Sequence, residues 1–442
     1  MMAGSRQRRI GGRKVVSTRA AVVALACALA AVAQAQVVAV VGGTVVPVSG
    51  PRIQNGTVLI EGERITAVGA DVQVPAGARV IDASGKFVYP GMIDAWSRVG
   101  LREIGSVLGG NDLEEVGDFN PAIATVVAVN PNSDLIPVTR VNGVTTALSV
   151  PSGGRISGVG TVIDLDGWTP AEMTRVPLAL LVVSYPPLER TAGRGGFSGA
   201  RRRLSDEEFA RRARRQVREL EEYFERAKSY AERRARNAVP EIDRQMEAMV
   251  LAMRGEMPVG FSANTSPEIM AAVRLGERFG LSTVIVGGRQ AWRVADSLAA
   301  RGVPVILGSV LSTPGRDDPF DAIYAQPGVL ARAGVTFAFS TGDAANARNL
   351  PYHAAIATAH GLDPDTALRA LTLWPARILG IDDEVGSIEQ GKVANLFIAD
   401  GDPLDVRTTV EQVFVRGRAI EMSTRHTKLY ERFRTRPAAG HP

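Results

Sequence analysis

Cysteine and histidine are scarce in this chain of 442 residues, which contains one Cys and four His. The cysteine, Cys27, lies within an N-terminal segment that we expect to be removed. The rest of the chain then has no thiol. That excludes disulfides, a cysteine nucleophile and every cysteine-bound metal site.

Long apolar runs are also missing. The apolar stretch at residues 20–33 is shorter than the roughly 20 residues that a membrane-spanning helix needs. It follows a basic region and precedes the Ala-Gln-Ala of residues 33–35, which is typical of a signal cleavage site. We therefore predict a signal peptide at residues 1–35, cleavage between Ala35 and Gln36, and a periplasmic or secreted protein. The paired arginines at 8–9 leave the export route open between general secretion and the twin-arginine pathway.

The net charge of +5 is located in that same segment. Residues 1–35 contain six basic side chains and no acidic one, so the remaining chain carries −1. A nearly neutral chain without a recognition motif does not fit nucleic-acid binding. We expect no nucleic-acid partner, and no membrane partner once the signal is removed.

Strand-like sequence occurs near both ends of the remaining chain. β-branched residues dominate 37–40 and 56–60, and similar runs return at 391–398 and 413–415. We predict that residues 36–88 and 385–425 together form one small composite β-sandwich domain.

Between these ends, short apolar runs alternate with helical patterns, which indicates βα units of an α/β protein. The candidate strands lie at 88–94, 144–150, 159–165, 178–184, 259–263, 283–287, 304–308 and 335–341. Eight such units predict a (β/α)₈ TIM-like barrel over residues 89–384, with any site at the carboxyl ends of its strands.

One charged block, about residues 189–256, is predicted to be a helical insertion in this barrel. Ser205 and Glu208 form a capping box that starts a helix reaching to about Asn237. Its arginines and glutamates alternate, which favours an exposed face with salt bridges over a patch for an anionic ligand. Residues 426–442 are predicted to be a C-terminal tail.

Four motifs follow one another along the chain: GKFVYPGMIDA at 85–95, NGVTT at 142–146, LTLWPARILG at 371–380 and GSIEQGKVANL at 386–396. In this order they resemble the amidohydrolase superfamily, particularly its imidazolonepropionase-related members. The resemblance extends over about residues 38–415. It implies a barrel with a small β domain, and hydrolysis of non-peptide or cyclic amide carbon–nitrogen bonds by metal-activated water.

The resemblance also implies a metal site, with zinc expected, that these residues do not supply. The positions expected to hold histidines have other side chains: Trp96 and Arg98 after strand one, Ser262 and Asn264 after strand five, and Gly287 and Gly288 after strand six. Only the aspartate after strand eight is kept, as Asp343. We therefore predict that the His-bound zinc site is absent, and we predict no cofactor.

The four histidines cannot replace the missing ligands. His353 and His360 both follow strand eight on a predicted helix. Seven residues of helix separate them by roughly 10 Å along its axis, too far for one ion. His426 and His441 lie beyond the barrel. The five lysines occupy positions 14, 86, 228, 392 and 428, so no barrel strand from the second onward offers a bridging carbamate.

Asp343 is the candidate catalytic residue at the predicted mouth. By resemblance it corresponds to the aspartate that binds metal and transfers a proton; the alternative is an N-cap for the following helix. Asn346 and the six replaced positions are candidates for lining a pocket. The Arg98 guanidinium could bind a carboxylate bidentately in place of the metal's charge. Asp94, at the end of strand one, is expected to be structural.

Two loops carry weaker signals. The acidic run at 111–115 is compatible with a hard-cation site, but a solvated loop is the favoured interpretation. The Gly-rich loop at 152–158 lacks the G-K-[ST] ending of a phosphate-binding loop.

These observations predict an exported amidohydrolase-like hydrolase that acts on carbon–nitrogen bonds without the usual metal ligands. The alternative is a catalytically silent barrel that binds a small molecule or a partner protein. The expected partner is a small-molecule ligand or substrate, and a homo-oligomer is left open.

Overall fold

The computed structural model describes residues 37–105, 107–189, 205–315 and 318–434. The predicted signal peptide, with Cys27, lies outside the described residues, as does His441. Two eight-stranded sheets form the framework. No helix in the described part of the chain combines the length and the apolarity that crossing a membrane requires.

The first sheet combines strands from both ends of the chain. Its strands are β1 (Val38–Val45), β2 (Ile53–Glu61), β3 (Arg64–Gly69), β4 (Arg79–Asp82), β5 (Phe87–Pro90), β14 (Leu396–Ala399), β15 (Val410–Val415) and β16 (Arg418–Ala419). The two ends meet where β14 pairs antiparallel with β5. Bulges in β1 let it pair with β4 and then β5. The strands are therefore joined in one hydrogen-bonded sheet, in which β4 branches from β1.

The second sheet is the barrel. Its strands, in spatial order, are β6 (Met92–Ser97), β7 (Val144–Ser149), β8 (Ile156–Asp164), β9 (Thr174–Ser184), β10 (Val259–Ala263), β11 (Thr283–Gly287), β12 (Val305–Leu307) and β13 (Phe337–Ala338). All eight predicted strands are present and the α/β barrel is confirmed. The expectation of eight parallel βα units is wrong at one strand, because β8 runs antiparallel to both of its neighbours.

Helices occur along the described part of the chain. They are α1 (Leu135–Arg140), α2 (Pro170–Met173), α3 (Asp206–Ala235), α4 (Arg244–Met253), α5 (Ser266–Phe279), α6 (Ala295–Ala300), α7 (Ala322–Arg332), α8 (Leu350–Ala359), α9 (Pro364–Leu371), α10 (Leu373–Ile378) and α11 (Arg425–Arg434). The last of them occupies the part of the chain that was predicted to be a tail.

Helix α3 begins at the predicted capping box of Ser205 and Glu208. It connects β9 to β10 and buries Leu220 and Phe224 in the main core, where the Phe224 ring packs against Phe261 of β10. The block predicted as an insertion thus contains part of the barrel's outer helical layer. On its exposed side, Arg-Glu pairs at i,i+4 spacing agree with the salt-bridged interpretation.

The motifs of the resemblance lie where the barrel meets the first sheet. Gly91 donates its N–H to the Asn395 carbonyl at 2.8 Å, and a Cβ on Gly91 would lie 2.1 Å from Thr145 Oγ1. Gly143 has φ +88° and packs against Met92 and the Phe397 ring. A side chain at Gly91 would collide with Thr145, and Gly143 combines a left-handed φ with close contacts to two neighbouring side chains, which explains both glycines.

A buried ion network joins the same two units. Asp164, at the end of β8, is fully buried and accepts hydrogen bonds from Arg175 Nη2 at 2.8 Å and Arg416 Nε at 2.7 Å. Asn395 Nδ2 donates to its other oxygen at 2.9 Å. The network therefore connects β8, β9, the start of β14 and the turn between β15 and β16.

We expect Asp164→Ala to lower the free energy of unfolding by about 3–5 kcal/mol, because it leaves two guanidinium groups without their buried counter-charge. Chemical denaturation of the two proteins measures the difference. The control is Asp134→Ala, which removes the exposed pair with Arg425 and should cost less than about 1 kcal/mol. Equal effects of the two substitutions would contradict this account.

Candidate functional site

The mouth of the barrel lies at the carboxyl ends of its parallel strands. Inside the barrel, apolar side chains such as Ile93, Leu148 and Val286 form one buried cluster. Trp96, near the end of β6, packs against this cluster and is half-buried. The indole therefore covers the apolar interior on the side where the strands end.

Arg98 follows β6 directly. Val99 packs in the main core of the protein, whereas Trp96 packs against the apolar cluster inside the barrel. Arg98 lies between these two residues, next to Ser97, the last residue of β6. Its side chain is half-buried, and no carboxylate among the described residues lies within 4 Å of its guanidinium.

Asp343 is tied to this segment through its backbone. Its carbonyl accepts hydrogen bonds from Arg98 N at 3.3 Å and Ser97 Oγ at 3.1 Å. Its carboxylate accepts from Ala344 N and from Asn346 Nδ2, both at 2.7 Å. The next helical turn, Ala347–Asn349, has Asn346 at its N-cap position, so Asp343 is not the N-cap that the alternative reading required.

Asp94 closes the barrel between its first and last strands. Its fully buried carboxylate accepts hydrogen bonds from the backbone N and the hydroxyl of Thr341, which follows β13. Burial raises the pKa of Asp94 to about 7, although the hydrogen bonds from Thr341 and Trp96 oppose that change. This contact supports the structural role predicted for Asp94.

The remaining predicted pocket residues lie on β10, β11 and the segments after them. The Ser262 carbonyl accepts from Tyr185 N at 3.1 Å. Gly287 has φ +84°, and the Asn264 side-chain oxygen lies 2.7 Å from where its Cβ would be. Gly288 N donates to Ala263 O at 2.9 Å. These contacts bring Asn264 and the two glycines together.

The donors present at the mouth do not fit the expected zinc. No imidazole stands at the ends of β6, β10 or β11. His353 is buried, accepts a hydrogen bond from Val310 N through Nδ1, and has a pKa lowered to about 4 by burial. His360 lies 2.9 Å through Nδ1 from Ile356 O of its own helix. Within the described ranges, no three His, Asp or Glu side chains are grouped closely enough to share a metal ion.

The weaker loop candidates are occupied by contacts within the protein. Glu114 of the acidic run accepts a hydrogen bond from Ser152 Oγ. Arg155, from the Gly-rich loop, forms salt bridges with Asp118 and Glu219. The arginine of the Gly-rich loop is therefore already engaged with two carboxylates of the protein.

One buried charge near the mouth was not predicted from the sequence. The Asp318 side chain, in the loop after β12, is 2% exposed. It accepts from Arg293 Nη2 and Gln290 Nε2, both at 3.1 Å. These contacts hold the loop after β12 against the segment after β11. No local motif marks this aspartate, because its partners come from another loop.

Comparisons with known proteins agree with this architecture. The Amidohydrolase family matches residues 156–420, more than half of the chain; this range contains β10, β11 and Asp343 but not β6. An amidohydrolase from Thermotoga maritima MSB8 has a similar structure, with a TM-score of 0.75 and 25% identity, covering 87% of this chain and 99% of that one.

Two curated relatives match less completely. Amidohydrolase tasK of Hapsidospora irregularis is 26% identical over 400 residues, which is 82% of this chain but 40% of tasK. An N-acetylglucosamine-6-phosphate deacetylase of Haemophilus influenzae is 34% identical over 112 residues, or 24% of this chain and 25% of that protein. The chain thus spans less than half the length of these relatives.

The raised pKa of Asp94 predicts a pH-dependent stability. Between its ordinary pKa of 3.8 and about 7, the folded protein keeps a proton that the unfolded chain releases. Stability should therefore fall as pH rises across this window, by up to about 4 kcal/mol from this group. We expect Asp94→Asn, which retains the acceptor for Thr341 N, to lose this dependence and to be more stable than the wild type at pH 8.

Urea denaturation midpoints of both proteins between pH 4 and pH 8 provide the measurement. Asp112→Asn, at an exposed aspartate of the acidic run, is the matched control and should follow the wild type. Parallel pH profiles for the wild type and Asp94→Asn would contradict the assignment.

Proposed function

Because this chain belongs to the amidohydrolase family, we propose that its barrel mouth binds a small molecule with an amide or cyclic amide bond and hydrolyses that carbon–nitrogen bond without a histidine-bound metal. We also propose that it does so after export, on the strength of the N-terminal sequence. Kinship to imidazolonepropionase-related members stays a prediction from the four motifs.

The observation that supports this proposal is a pair of hydrogen bonds to the Asp343 backbone, which connect the ends of the first and last barrel strands. Arg98 N and Ser97 Oγ both donate to the Asp343 carbonyl. These hydrogen bonds bring the segment with the one retained acidic residue next to the segment where a cation replaces a histidine. An acid and a cation on adjoining segments suit a polar substrate with a carbonyl group.

In the proposed reaction, Asp343 acts as the general base. Its carboxylate takes a proton from water, the water oxygen attacks the carbonyl carbon, and the carbon–nitrogen bond breaks with the proton passing to the leaving amine. A positioned base typically accelerates such a step by about 10²–10⁴-fold. Asn346 holds one carboxylate oxygen at 2.7 Å and so orients the group.

Arg98 is proposed to bind a carboxylate of the substrate. A guanidinium donates two parallel hydrogen bonds to a carboxylate and keeps its charge at every accessible pH. It does not activate water as a metal does. Arg98 therefore takes a role in binding, and Asp343 takes the role in chemistry.

A catalytically silent barrel is the second candidate, and one observation favours it. Both carboxylate oxygens of Asp343 already accept hydrogen bonds, and Trp96 packs over the apolar interior. In that case a ligand would bind beside Arg98 and leave unchanged.

We expect the purified chain to hydrolyse members of a panel of N-acyl amino acids and cyclic amides, and Asp343→Asn to lower kcat by about 100-fold or more. Asn346→Ala keeps the base but loses its orienting donor, so its effect should be smaller. Liquid chromatography of the released amine measures turnover. Ligand-dependent melting without turnover would favour the silent barrel.

The metal content separates the mechanisms further. We expect near-zero bound metal per chain after purification without chelator, and no loss of turnover when chelator is added. A content near one metal per chain that disappears in Asp343→Asn would contradict the proposed mechanism and indicate a carboxylate-rich metal site.

The role of Arg98 predicts a substrate preference. We expect Arg98→Gln to raise KM about tenfold or more for a substrate with a free carboxylate. The carboxamide analogue of the same substrate should be hydrolysed equally by the two proteins. Equal changes in KM for the acid and the amide would show that Arg98 does not bind the carboxylate.

A further inference from the structure

The helix near the end of the described chain, α11, is exposed along its whole length. Thr424 caps it by accepting from Thr427 N at 3.2 Å. None of its ten residues is buried. Arg425 at its start is paired with Asp134, and this surface ion pair is its one salt bridge to the rest of the described chain.

Apolar side chains line one side of this helix. Leu429, Tyr430 and Phe433 are spaced by one and four residues, which places them on one face. They remain 38%, 67% and 52% exposed. An exposed patch of three neighbouring large apolar side chains is typical of a surface that binds a membrane or another protein.

The charges beside this face are mostly positive. The helix carries four cationic side chains, Arg425, Lys428, Arg432 and Arg434, against one anionic side chain, Glu431, which pairs with Arg434 at 2.6 Å. The helix keeps an excess of positive charge after this pair and the pair of Arg425 with Asp134 are counted. The Arg432 guanidinium lies 5.7 Å from the centre of the Phe433 ring, so positive charge borders the apolar face directly. The occupant must therefore present negative charge at the border of an apolar region.

We propose that α11 docks on an anionic lipid surface, with Leu429, Tyr430 and Phe433 at the level of the headgroups and the cationic side chains against lipid phosphates. A short helix with an aromatic face and flanking Arg and Lys has the composition of helices that lie in the membrane interface. Anionic lipids add attraction for each basic residue. A second copy of this chain fits less well, because it would bring two sets of like charges together.

This docking differs from the expectation of no membrane partner. That expectation was of no membrane partner at all, on the ground that no long apolar run follows the signal, whereas α11 needs only to lie on the surface. The proposal is independent of the chemistry at the barrel mouth.

The test is co-sedimentation of the full chain with vesicles. We expect binding to phosphatidylcholine vesicles that contain about one-third phosphatidylglycerol, weak binding to phosphatidylcholine alone, and release from the anionic vesicles at about 0.5 M salt. Failure to bind the anionic vesicles, or equal binding to both kinds, would overturn the proposal.

Variants then locate the surface. Leu429→Ser with Phe433→Ser, and separately Lys428→Gln with Arg432→Gln, should each weaken vesicle binding about tenfold or more. Arg214→Gln with Arg218→Gln, on the exposed side of α3, is the matched control and should bind as the wild type does. Since every protein has the same N-terminal residues, any contribution from residues 1–36 is common to all.

Two further outcomes decide against the proposal. If the control on α3 weakens binding as much as the α11 variants do, the attraction is a general property of the cationic surface. If sedimentation velocity finds a dimer that Leu429→Ser with Phe433→Ser disperses, the occupant of the face is a second copy. Unchanged circular dichroism and melting temperature verify that the variants fold.

Discussion

The buried carboxylate of Asp164 is the interaction on which the arrangement of the two sheets depends. Two guanidinium groups, Arg175 and Arg416, and the Asn395 amide converge on it from different segments. A buried charge of this kind is tolerated only while all its partners are in place. The requirement keeps the turn between β15 and β16 and the start of β14 in one position against the barrel.

The reversed direction of β8 places the Asp164 carboxylate at the end of the barrel that contacts the first sheet. Asp164 is the last residue of β8, and an antiparallel strand ends at the face of the barrel opposite to the mouth. The same face receives the first sheet. Asn395 supplies an amide donor there. A second carboxylate at this position, beside Asp164, would have no proton to donate.

The two ends of the barrel therefore differ in how far their residues match the family motifs. The recognisable motifs join the barrel to the first sheet through Gly91, Gly143 and Asn395, where backbones approach closely. At the mouth, the ends of β6, β10 and β11 carry no imidazole, and Asp343 follows β13. A fold-level match and an altered chemistry are compatible because the contacts that hold the fold lie away from the residues that would carry out the reaction.

By itself, the sequence determined the eight barrel strands, the capping box of α3 and the residue types at the ends of β6, β10 and β11, since periodicity, caps and residue types are local properties. Strand direction in β8 could not be predicted, because the same alternation suits either direction. Nor could the contact between Asp94 and Thr341, which are 247 residues apart. Only the tertiary structure decided which carboxylates are buried and which cationic side chains pair with them, because burial and pairing depend on segments that are distant in sequence.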